Sequence, residues 1–201
     1  MAVKRLLVFA LLGLIVAATR PAAAAVPGPM EQLKTTVNAV IATLRDKGLD
    51  HTTRHDKLAT LIKDRFDFRV MSQTTLAVNW RRATPAERDR FIVLFTDILK
   101  DTYLGRIEAY TDEKVAYDKE LVEGNRALVD TRIVSDNRDI PIRYRMIREG
   151  DHWQVYDVVI EEVSLVNTYR STYNDIVLND GIGGLLKKME AKVQELEGSK
   201  K

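Results

Sequence analysis

The sequence predicts an α+β fold, with helices packed on one side of a curved, four-stranded antiparallel sheet. Three observations predict it: helical periodicity up to about residue 110, strand-like runs from about 113 to 160, and a return to helical spacing afterwards. The links between the strand-like runs are short and polar, so neighbouring strands are expected to be antiparallel. Helices gathered on one side of such a sheet leave a conical space, and an apolar cavity is expected there.

The N-terminus comes first. Lys4 and Arg5 precede an uncharged apolar run from Leu6 to Ala18, and Ala22 to Ala25 supply the small side chains of a cleavage site. This is the pattern of a secretory signal peptide over residues 1–25, because the run is too short for the roughly 20 residues of a membrane span. Residues 26–201 are then expected to form a single exported, soluble domain. They carry 28 basic residues against 29 acidic ones, mixed along the chain, which argues against nucleic acid as a partner. The chain has no cysteine, so disulfides cannot staple the fold and one hydrophobic core must hold it.

Leu33, Val37, Val40, Ile41 and Leu44 recur at helical spacing from about Met30, and Lys47 and Gly48 mark the end of this first helix. A second helix is expected from about Arg54, with Leu58, Leu61 and Ile62 on one face. It should break near Phe66, before a short piece reaching Ala77. Thr84-Pro85-Ala86-Glu87 combines a capping threonine, a proline suited to the first turn and a glutamate that caps back. A long helix should run from there to about Tyr110, with Phe91, Leu94, Phe95, Ile98, Leu99 and Tyr103 on its apolar face.

Four strand-like runs follow: Val115 to Leu121, Arg126 to Ser135, Ile140 to Arg148 and Trp153 to Ile160. In the third, Ile140, Ile142, Tyr144 and Met146 alternate with Pro141, Arg143 and Arg145, as in a sheet with one buried face. The fourth is apolar on both faces, with Trp153 and Val155 on one and Tyr156, Val158 and Ile160 on the other. Two closing helices are expected. Ser164 caps the first, whose face is Leu165, Val166, Tyr169, Tyr173, Ile176 and Val177; the second follows Asp180-Gly181.

Reactive side chains are few. His51 and His55 stand four apart, but no third histidine or cysteine is near them, so a solvated helix start is the better reading and no metal or cofactor is expected. His152 reads as an exposed turn residue. Asp157 is a candidate base inside a pocket, since burial raises a carboxyl pKa toward the range suited to proton transfer. Its simpler role is to pair with an arginine of a neighbouring strand or to cap the sheet edge.

Three stretches carry a family resemblance: Phe66-Asp67-Phe68 through Trp80, Phe91 to Tyr103, and Asp157 through Val163-Ser164-Leu165-Val166 to Tyr169-Arg170. Together they make nearly the whole of residues 26–201 resemble the MlaC family, also called the toluene-tolerance auxiliary component. The family often has glycine just before Val163, where this chain has Glu161-Glu162, and glycine where it has Ala77. Tyr173 stands in place of a common phenylalanine.

The resemblance implies a cone similar to nuclear transport factors, located in the periplasm. It implies a monomeric, non-enzymatic phospholipid carrier that maintains outer-membrane lipid asymmetry. Its partners would be an outer-membrane lipoprotein/porin complex and an inner-membrane ABC transporter complex. The acyl chains are expected to contact Leu76, Phe91, Phe95, Leu99, Tyr103, Tyr144, Val158, Val166, Tyr169, Tyr173 and Ile176, with Arg143, Arg145 and Arg170 near the headgroup at the mouth. Two other readings stay open from the residues. One is a small cone-fold enzyme acting on a hydrophobic substrate with Asp157 as base; the other is an adaptor whose apolar residues are all consumed in packing.

Overall fold

A computed structural model describes residues 26–109, 114–135 and 138–198. The expected signal peptide, Tyr110 and the Asp136-Asn137 turn lie outside the described residues.

Local chemistry explains where the helices begin and end. Helix α1 spans Pro29–Arg45. Helix α2 starts three residues earlier than its periodicity suggests, at His51, because the Asp50 carboxylate accepts from the Thr53 backbone N–H at 2.9 Å; it runs to Arg65. The expected break at Phe66 is where the chain joins the sheet, since the Asp67 N–H donates to the Val155 carbonyl at 2.9 Å. The Asp67 side chain then caps α3, Phe68–Leu76, by accepting from Val70 N at 2.8 Å. Ala77, at φ +50°, turns α3 into a short helix α4, Val78–Arg82, which has no counterpart in the sequence reading. In α5, Pro85–Glu108, the expected capping box is complete: Thr84 Oγ1 accepts from Glu87 N at 3.3 Å and Glu87 Oε2 accepts from Thr84 N at 2.8 Å.

The sheet has five strands rather than four, in the order β1 (Lys114–Glu123), β2 (Arg126–Val134), β3 (Asp139–Glu149), β4 (His152–Ile160) and β5 (Val163–Ser164), all antiparallel. The fifth is a two-residue strand that was expected to be only a helix cap. Helix α6, Leu165–Gly198, is interrupted at Gly181 (φ +71°), so the two helices expected there meet at the predicted glycine.

A β-bulge explains the fourth run. Arg145 pairs with Asp157 but Met146 pairs with Val155, leaving Tyr156 as the extra residue. The bulge shifts the alternation by one, so Trp153, Val155 and Val158 share a face although their spacing forbids it in a regular strand. That inner face also carries Ala127, Val129 and Met146, and α1 covers it with Leu33. A second apolar cluster forms where α3, α4, α5 and α6 meet. Phe66 packs against both clusters.

Candidate functional site

The eleven expected contact residues divide between the two clusters. Leu76, Phe91, Phe95, Leu99, Val166 and Tyr173 are buried in the helical one, with Tyr103, Tyr169 and Ile176 packed against it. Tyr144 and Val158 belong to the sheet-side cluster. In the helical cluster four rings close on one another. Phe95 meets Tyr169 at 5.2 Å between centroids, Phe91 at 5.5 Å and Tyr173 at 6.0 Å, and Phe91 meets Tyr173 edge-on at 5.8 Å. Such pairs add about 0.5–1.5 kcal/mol each beyond their buried area. Burial raises the Tyr173 phenol above its ordinary range, and burial beside Tyr103 pushes Tyr169 up to about 12. These rings pack against one another in the helical cluster, Phe91, Phe95 and Tyr173 buried and Tyr169 half-buried.

The sheet-side cluster grades from closed to open. At one end Leu33, Ala127, Met146 and Trp153 are buried. A polar knot holds that end shut. Arg65, at the end of α2, donates to Thr36 Oγ1 (2.9 Å), Gln32 Oε1 (3.0 Å) and the Trp153 carbonyl (2.5 Å), while Gln32 Oε1 also accepts from Trp153 N (3.0 Å). Desolvation lowers the Arg65 pKa, and the neighbouring charge of Asp64 opposes that shift. Toward the other end of the strands Thr131 and Val158 stay buried, but Ile133, Ile140, Ile142 and Tyr144 are only half-buried, as is Val37 of α1, which packs against this cluster. Burial, with Tyr117 nearby, pushes the Tyr144 phenol up to about 12. The structure therefore sets a partly covered apolar seam between α1 and the inner sheet face. Sequence reasoning missed Arg65 and Gln32, whose partners lie up to 121 residues away and leave no local signal.

The three arginines expected at a mouth are held by protein partners. Arg143 Nε donates to Asp130 at 2.6 Å, Arg145 reaches Asp157 at 3.3 Å and Arg170 Nε donates to the Thr74 carbonyl at 3.0 Å. Arg143 and Arg145 alternate with Tyr144 and so point to the outer face. Asp157 is buried at the start of α6, where it accepts from Ser164 Oγ at 2.7 Å and from Val166 N at 3.1 Å. Both carboxylate oxygens are thus committed to capping a helix and pairing Arg145. His152 is exposed. His51 and His55 face Glu108 at 3.8 and 3.3 Å, tying α2 to the end of α5. Among the described residues no group of three or more His, Cys, Asp or Glu could hold a metal ion.

Two surface clefts, of about 240 and 260 Å³, lie on the outer sheet face around Arg143 and between α5 and α6 around Arg90 and Glu190. Both fall below the roughly 300–1,000 Å³ typical of small-molecule sites.

The MlaC protein family model matches residues 34–191. The chain belongs to the MlaC family. A curated relative from Haemophilus influenzae, described as the intermembrane phospholipid transport system binding protein MlaC, is 25% identical over 124 residues. That match spans 58% of this chain and 58% of the relative, so the chain aligns with rather more than half the relative's length. Among solved structures, the phospholipid-binding protein from Ralstonia solanacearum, in complex with a phospholipid, superposes with a TM-score of 0.77 over 85% of this chain and 99% of that one. At 23% identity the likeness shows a shared fold. No described helix of this MlaC-family chain is long and apolar enough to cross a membrane.

Proposed function

We propose that residues 26–201, released from the signal peptide 1–25, form a monomeric periplasmic carrier of phospholipid. The carrier moves lipid between an outer-membrane lipoprotein/porin complex and an inner-membrane ABC transporter, and so maintains outer-membrane lipid asymmetry. The observation that carries the reading is the seam between α1 and the inner sheet face, closed at the Arg65 knot and only partly covered at Val37, Ile142 and Tyr144. Family membership and the names of the relatives support the same ligand class.

The acyl chains enter the seam against Tyr144, Val158, Ile142 and α1, with Tyr103 and Tyr169 at the edge of the helical cluster. Leu76, Phe91, Phe95, Leu99, Val166, Tyr173 and Ile176 form the wall behind them. Making room moves α1 and α2 away from the sheet, with the Arg65 knot as the fixed end. Two acyl chains hold about 30 methylenes, whose burial is worth on the order of 20 kcal/mol before ordering costs. Release into water is therefore slow, and exchange takes place at a docked partner that shields the chains. No step requires catalysis, and Asp157 serves the fold.

The test is mass spectrometry of organic extracts from the protein purified from periplasm, beside Tyr144→Trp and Val158→Trp variants. Stoichiometric phospholipid in the parent protein, lost in variants that keep their far-UV spectrum, is the expected result. A parent protein without phospholipid would overturn the carrier.

A further inference from the structure

Val78 and Leu178 are the two most exposed large apolar side chains of the described residues, at 63% and 70%. They lie on two elements that touch, α4 and α6. Asn79, next to Val78, donates to Asn174 at 3.3 Å, and Leu178 lies one turn beyond Asn174 along α6. The five-residue α4 turns Asn79 and Trp80 into the core, which leaves Val78, Arg81 and Arg82 on its solvent face at the spacing i, i+3, i+4. No ion pair engages Arg81 or Arg82 among the described residues: the contact of Arg82 is to Asn79 Oδ1 at 3.4 Å, and the carbonyl of Arg81 accepts from Arg88. Asp175 is the acidic side chain one turn before Leu178. The backbone enforces this display. Ala77 takes φ +50° and ψ −117°, outside the regions open to a residue with a Cβ, and that turn swings Val78 outward.

We propose that this tip, Val78 and Leu178 framed by Arg81 and Arg82, docks transiently on an anionic phospholipid surface. Two branched apolar side chains are short enough to enter the headgroup boundary, and two guanidiniums outside any ion pair among the described residues complement anionic lipid phosphates. The patch deepens the carrier reading, on which its purpose rests: it holds the carrier against a membrane from which lipid is drawn or to which lipid is returned. The apolar pair alone is too small to anchor the chain, so attachment is weak and depends on salt.

The experiment is co-sedimentation of the full mature chain with vesicles of phosphatidylglycerol and phosphatidylcholine, beside vesicles of phosphatidylcholine alone. Binding to the anionic vesicles that declines as salt rises is expected, with a loss of about fivefold for each of Arg81→Gln and Arg82→Gln. Val78→Asp combined with Leu178→Asp should abolish it while far-UV spectrum and melting temperature stay at the parent values, since both side chains are solvent-exposed. Absence of binding, equal binding by parent and variants, or equal binding to both vesicle types would overturn the proposal. Co-purified phospholipid is measured on the same preparations. A chain that sediments with anionic vesicles but brings no lipid from periplasm keeps the docking tip and loses the carrier; a chain that brings lipid but ignores vesicles does the reverse.

Discussion

The helical cluster and the sheet-side seam are built from equally apolar sequence, yet they differ in how completely they close. Around Phe95, which is fully buried, the rings of Phe91, Tyr169 and Tyr173 close at 5.2–6.0 Å from α5 and α6. Between α1 and the sheet, Leu33, Met146, Trp153, Val129, Val155 and Thr131 are buried, but Val37, Ile142 and Tyr144 beside them are only half-buried. Apolar content alone does not separate core from binding surface. Packing completeness does, because a fully interdigitated cluster loses contacts when it opens, whereas a half-covered one exchanges water-exposed surface for ligand.

That contrast can be broken most sharply at Phe95. Phe95→Ala should cost about 3–5 kcal/mol in chemical denaturation, by lost burial and an aromatic-sized cavity, whereas Ile142→Ala in the seam should cost about half that or less. Equal losses would erase the distinction. Arg65→Met should cost about 2–3 kcal/mol, since charged hydrogen bonds to Gln32 and Trp153 disappear and their acceptors stay partly buried. Hydrogen exchange should show α1 and α2 loosening from β4 while the α5 amides keep their protection; loosening of both would mean that the knot serves the whole fold. Ala77→Gly acts in the opposite direction and should stabilise by about 1 kcal/mol, read as a higher melting temperature, because glycine accepts the backbone that Ala77 strains.

The last prediction concerns alkaline pH. Tyr144 and Tyr169 ionise at about 12 in the fold against an ordinary value of 10.0. A raised folded pKa means that the native state holds protons longer, so the contribution is intact below pH 10 and is lost as pH climbs from about 10 toward 12. Phenolate absorbance should therefore show some tyrosines lagging until the chain unfolds. If all tyrosines titrate near pH 10 with native secondary structure intact, both sites are more open than the structure implies.

Much of the fold was legible because its signals are local. The Thr84 capping box, the hairpin spacing and the Gly181 interruption each depend on residues within one or two turns. The misreadings share the opposite property. Asp50 moved the start of α2 through a single side-chain oxygen, β5 needed β4 beside it, and the bulge at Tyr156 is defined only by the register of β3. The family's glycines just before Val163 and at the position of Ala77 mark backbone that this chain also holds at positive φ, with Glu161, Glu162 and Ala77 in their place. Local geometry is thus kept where side-chain identity departs.

For the site, the sequence by itself determined which side chains are apolar, that Ser164 caps a helix start and that Asp157 can pair with an arginine of a neighbouring strand. Only the tertiary structure decided that nine of the eleven expected contacts belong with the helical cluster and two with the seam. It also turned Arg143 and Arg145 outward to Asp130 and Asp157. The physical reason is that periodicity reports which face leaves water, whereas the partner on that face, another side chain or a ligand, is set by elements distant in the chain.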